Sequence, residues 1–220
     1  MANPAALSDR RAIVIASLVM GPSIMAIGDS LHPEERMAAA EQITIIAEYA
    51  SRWYAAHLLL YIGMTLFLPG LLTLATLTEA RHRSAGYWAR ILAIIGVAAL
   101  AAIFVAEMLI GLYLERGGDP HSAVTLLESM LSGRILGALS PAILAFFIGT
   151  SMMAIPLIRG GGLIAWAAGL ILLGVLLIFV EIVSAKVIFS QIGNVLVACG
   201  SSLAAWLILQ GRAEAAAPAS

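Results

Sequence analysis

Residues 88–113 read WARILAIIGVAALAAIFVAEMLIGLY, an apolar stretch interrupted by two charges, Arg90 and Glu107. A helix rises 1.5 Å per residue, so about 20 such residues cross a hydrocarbon core roughly 30 Å thick. This stretch is long enough to span a membrane and too apolar for a soluble surface. Working outward, comparable runs occupy about 12–28, 55–77, 134–157, 162–183 and 189–209. The last two are nearly continuous. Ser184, Lys186, Ser190, Gln191, Gly193 and Asn194 break them, which places a tight reversal near 184–190. The reading is an all-α polytopic membrane protein with six transmembrane helices. It forms a single integral membrane domain over 1–220, with 1–10 as a cytoplasmic tail and 211–220 as a disordered one.

Composition agrees. Hydrophobic residues make up 61% and charged residues 11% of the chain, against roughly 45–50% and 25% in soluble domains. Net charge is −1, with 12 basic and 13 acidic residues. No basic stripe could follow a phosphate backbone, so nucleic acid is excluded as a partner. The single cysteine, Cys199, has no disulfide partner and is expected as a small buried hydrophobe. The sequence holds no phosphate-binding glycine loop, no HExxH and no GxSxG. The cytoplasmic loops are too short for a catalytic domain.

Orientation follows from the Arg/Lys bias. With the N-terminus inside, the cytoplasmic side carries Arg10, Arg11, Arg81, Arg83, Arg90, Arg159 and Arg212, for a net of +4, and everything else sums to −5. Both termini are therefore expected in the cytoplasm. The layout resembles that of small six-span proteins of bacterial inner membranes, a likeness of architecture that carries no function. The first span has an alternative reading, because Arg10-Arg11, an apolar stretch and Ala26-Ile27-Gly28 also fit a cleavable leader.

Two outer loops, near 29–54 and 114–133, each suggest a short amphipathic helix. His32-Pro33-Glu34-Glu35 is a helix-start signal, with Met37, Ala40, Ile43 and Ala47 as the apolar face. Asp119-Pro120 repeats the signal, with Val124, Leu127 and Leu131. Spans 2–3 and 4–5 also form a parallel two-helix repeat. Trp88…Gly96…Glu107 corresponds to Trp166…Gly174…Glu181, and Ile62-Gly63…Pro69 to Ile148-Gly149…Pro156. An outer helix, a Ser and an Arg precede each pair (Ser51-Arg52; Ser132-Gly133-Arg134).

Ionisable groups in hydrocarbon are costly, so they are the functional candidates. Glu107 and Glu181 read as a carboxylate pair that binds a cation or carries protons. His57 follows Trp53 and Tyr54, which fit an interfacial aromatic belt. Arg134 reads as a counter-charge or headgroup contact, and Asn194 as a cavity-lining amide. His32 and His121 lie on the outer side, but their spacing matches no ligand motif, so no metal site is assigned and no cofactor is identified. The polar groups gather in the outer half. The expectation is a multi-pass inner-membrane protein with an outer-facing polar cavity that binds or transports a small solute, cation or lipid. The alternatives are a membrane-embedded enzyme acting on a lipid or isoprenoid, with an intramembrane Glu as general acid, and an accessory or sensor subunit. Partners are the lipid bilayer and either a second copy of the chain or another membrane protein.

Overall fold

The computed structural model describes residues 4–34, 36, 38–131, 135–184 and 186–211. Among them it is all-helical: α1 (Pro4–Leu31), α2 (Ala39–Glu48), α3 (Ala50–Glu79), α4 (Arg83–Glu115), α5 (Pro120–Leu131), α6 (Ile135–Arg159), α7 (Gly162–Ser184) and α8 (Val187–Leu209). The six long helices are apolar enough to cross a membrane. Several overrun their apolar stretches by a turn. A charge at the hydrocarbon boundary ends an apolar run but does not end a helix. Three of the ends lie at true breakers instead: Pro33 after α1, Gly117 after α4 at φ 79°, and Gly161 after α6 at φ 72°, followed by Gly162 at φ 71° as the first residue of α7.

The six long helices form a closed ring. α1 packs on α3, α3 on α4, α4 on α6, α6 on α7, α7 on α8, and α8 returns to α1. Neighbours run antiparallel. Gly28 of α1 meets Ala56 of α3 and Gly70 of α3 meets Leu18 of α1, while Gly174 of α7 meets Gly193 of α8 and Gly200 of α8 meets Ala167 of α7. The middle is filled by Leu18, Phe67, Leu71, Met153, Leu157, Ile171, Val175 and Val197. Lipid tails are as apolar as leucine, so these contacts stabilise through packing and not through loss of water. The outer faces present large apolar side chains such as Leu109, Trp166 and Val195 for contact with lipid. Cys199 is on that face and is exposed, not buried as expected. The inward face of α8 is Gly193, Asn194, Val197, Gly200, Ser201 and Ala204, and Cys199 falls outside this stripe.

Corresponding residues of the repeat do equivalent packing work. Gly63 of α3 meets the preceding long helix at Gly21 and Met25, and Gly149 of α6 meets the preceding long helix at Ala89, Leu92 and Ala93. Gly96 of α4 and Gly174 of α7 meet the following ones, at Phe146 and at Gly193 and Val197. Ser132, Gly133 and Arg134, which complete the correspondence in sequence, lie outside the described residues.

The first short helix differs from expectation in its start and in its buried face. Helix α2 starts at Ala39, and His32, Pro33, Glu34 and Arg36 are non-helical. Pro33 disfavours helical geometry at His32, and the His32 N–H closes the last turn of α1 on the Asp29 carbonyl at 3.1 Å. The buried face of α2 is Gln42, Ile43 and Ile46, whereas Ala40 and Ala47 are exposed; Met37 lies outside the described residues. Gln42 is drawn inward because its Oε1 accepts the Arg36 N–H. Helix α5 begins where expected. Asp119 Oδ2 accepts the Ser122 N–H at 2.9 Å, an N-cap. Helices α2 and α5 pack on each other and onto α4. Ile43, Ile46, Trp53, Ile110, Ala123 and Leu127 bury together there, so the pair caps the end of the bundle that carries His57.

Candidate functional site

Beneath that cap, α1, α3, α4 and α8 bring polar side chains together. His57, one turn after Trp53 on α3, is 2% exposed. Its Nδ1 lies 2.9 Å from the Trp53 carbonyl. A carbonyl only accepts, so this nitrogen carries a hydrogen and donates it. His32, just past the end of α1, is fixed the same way, with Nδ1 2.8 Å from the Pro33 carbonyl. Both Nε2 atoms then point inward and stand 3.3 Å apart. The third member is Glu107 on α4, whose Oε2 is 2.8 Å from His57 Nε2.

These constraints fix the proton inventory. With each Nδ1–H committed to backbone, three lone-pair atoms converge: His32 Nε2, His57 Nε2 and Glu107 Oε2. Without a proton between them they repel. One proton satisfies the set, shared between His57 Nε2 and Glu107 Oε2, with His32 Nε2 as a second acceptor. Trp53 clamps the assembly. Its ring centroid is 4.6 Å from that of His32 and 4.4 Å from that of His57, and its Nε1–H donates to the Glu107 carbonyl at 3.1 Å. Trp53 is 3% exposed, so it is a buried support and not the belt residue expected. Arg52 holds the end of α1 by donating to the Leu31 and His32 carbonyls.

Asp29 extends the cluster towards α8. It is buried, its Oδ1 accepts from Ser190 Oγ at 3.1 Å, and the Asn194 amide interacts with the same carboxylate. Asp29 Oδ2 and Asn194 Oδ1 make no hydrogen bond. Buried polar atoms of this kind are normally met by water or a ligand.

Of the expected candidates, His57 and Glu107 are joined directly, and Asn194 adjoins them through Asp29. Glu181 is buried on α7, which does not touch α4, so the two glutamates form no pair. Arg134 lies outside the described residues. His121 is exposed on α5, away from the cluster. Sequence reasoning underweighted His32 and passed over Asp29. The apolar run ends at Gly28, so Asp29 reads as loop, yet α1 continues through it to Leu31 and carries His32 just past its end. The available signal was the breaker, Pro33, which sets the helix end more firmly than the charge at Asp29. Among the described residues, no group of three or more His, Cys, Asp and Glu is arranged to hold a metal ion.

His32 also lines a half-open cleft of about 770 Å³, together with Pro33, Glu34, Arg36, Ile45, Tyr49, Arg52, Lys186, Val187, Ile188 and Gln191. The His32–His57–Glu107 cluster therefore borders an accessible space. Burial, and then the neighbouring His57, hold the His32 imidazole down to about 4 from the usual 6.5. The folded protein thus binds this proton more weakly than the unfolded chain. His32 supports folding fully above pH 6.5 and loses that support as the pH falls towards 4, on the order of 3 kcal/mol in all. Melting temperatures at pH 7 and 4.5 should fall more in the wild type than in His32→Gln; equal falls would refute the assignment.

No family model, curated protein or solved structure matches the chain.

Proposed function

We propose that this multi-pass protein resides in a bacterial inner membrane with both termini cytoplasmic, and that it binds or transports a small solute at an outward-facing polar cleft. The His32–His57–Glu107 cluster is its proton-carrying element. The Arg/Lys distribution supports the orientation, placing the His57 end outside. One observation carries the functional reading: three lone-pair atoms on three segments, two of them on buried histidines, converge with both Nδ1–H groups already spent. A packing role would need only one His–Glu pair. A second histidine turned towards the first, and lining the cleft, connects the pair to the space a ligand would enter. Such a cluster takes up or releases one proton without a large rearrangement, because its backbone anchors stay made. In hydrocarbon that is how a site exchanges charge with a solute at low cost.

Trp53 supplies the test. A protonated imidazole quenches the emission of an indole stacked on it. Trp88, Trp166 and Trp206 are exposed on lipid-facing surfaces, so changing them to phenylalanine isolates Trp53. Its emission should then titrate with pH. The titration should move in Glu107→Gln and lose a step in His57→Gln. Emission that stays flat with pH, or that titrates alike in all three proteins, would remove the proton-carrying role.

A further inference from the structure

The cleft beside His32 is asymmetric in both charge and polarity, and this asymmetry selects a ligand. Among the described residues its lining carries three cations, Arg36, Arg52 and Lys186, against one carboxylate, Glu34. Glu34 is already bound to Arg36 at 2.7 Å, and Arg52 is turned to the carbonyls ending α1. Lys186 is exposed at the start of α8, whose first turn has no side-chain cap, so further N–H donors face the same region. Glu41 and Glu48 are exposed on α2 and do not line the cleft. The remaining wall is apolar: Ile45, Val187 and Ile188, with the ring of Tyr49. A bare inorganic anion would leave this wall unused, and a cation would face the wrong charge.

We propose that the cleft binds an amphiphilic anion, with a phosphate or carboxylate head at Lys186 and Arg36 and a short apolar tail against Ile45, Val187 and Ile188. The assignment rests on reading the cleft as the ligand site and adds the ligand's chemical class. The same chemistry arises from a free solute or from the headgroup of an anionic membrane lipid, and the experiment separates the two.

The probe is hexyl phosphate, titrated calorimetrically into the protein in phosphatidylcholine nanodiscs, with hexanol and hexylamine as neutral and cationic counterparts. Saturable binding of hexyl phosphate alone is expected. Each lost charge-assisted contact weakens binding about tenfold or more, so Lys186→Gln and Arg36→Gln should each do so. Both side chains are exposed, and unchanged Trp53 emission would verify that the variants fold. Hexylamine binding as well as hexyl phosphate, or unchanged affinity in both variants, would overturn the assignment. Native mass spectrometry of protein from membranes containing phosphatidylglycerol identifies the source. Retained phosphatidylglycerol that hexyl phosphate displaces means a lipid headgroup; an empty protein that binds hexyl phosphate means a free solute. A flat Trp53 titration with binding intact would remove the proton role alone. A responsive Trp53 without saturable hexyl phosphate binding would remove the ligand class alone.

Discussion

Gly174→Val should leave the protein unable to form its α7–α8 hairpin. A Cβ at Gly174 would lie 2.4 Å from the Gly193 carbonyl oxygen and 2.9 Å from the Val197 nitrogen, both backbone atoms of α8. A flexible side chain could move aside, but a helix backbone cannot without moving the whole helix. Gly193 returns the contact, since its own Cβ would stand 2.6 Å from the Gly174 oxygen. The cost should exceed the usual overpacking range, so about 3 kcal/mol or more. In a membrane bundle this appears as loss of folded protein after detergent extraction. Gly169, on the same helix, has nothing within 4 Å, and Gly169→Ala should be neutral or stabilising by about 0.5–1 kcal/mol. Gly96→Val repeats the experiment in the other half of the duplication, where a Cβ would lie 2.4–2.5 Å from Phe146. Wild-type melting temperatures in both valine variants would refute the close approach. Damage in Gly174→Val alone would refute the equivalence of the halves.

The second large effect concerns the ion pair that the buried His57 makes with the partly exposed Glu107. His57→Leu leaves the Glu107 carboxylate, which is 28% exposed, without the partner 2.8 Å away. Removing one member of such a pair costs about 3–5 kcal/mol, whereas replacing both by apolar groups is often neutral. His57→Leu should therefore be strongly destabilising, and His57→Leu with Glu107→Leu much less so. Glu107→Gln should lie between the wild type and His57→Leu, because an amide still bonds the imidazole. The measurement is a double-mutant cycle of unfolding in mixed micelles. Additive costs would mean that the pair is not coupled. A coupled pair with no Trp53 titration would make it a stability element without a proton role.

The division between sequence and structure is visible in single residues. Glu107 and His57 were legible as candidates because an ionisable group in an apolar run is conspicuous. That they meet each other was not legible, because nothing in a linear pattern says which face of α4 turns towards α3. The repeat sets Glu107 against Glu181, a correspondence along the sequence that does not imply contact. Equivalent residues of the two halves pack against different neighbours around the ring, and α4 never meets α7. His32 is a loop residue in both readings, and only the extension of α1 to Leu31 brings it to the cluster.

By itself the sequence determined the class: six apolar stretches of spanning length, the alternation of sides, the reversal between the last two spans, and the two short helices outside them. These follow from hydrocarbon thickness and helical rise, which act on each segment alone. The tertiary structure decided the order of the ring, the glycine contacts that close it, and the joining of His32, His57, Trp53 and Glu107 from three segments. Those depend on helix rotation and on how closely two backbones approach. In lipid these are set by side-chain shape at each contact, since every apolar face is equally content against a tail.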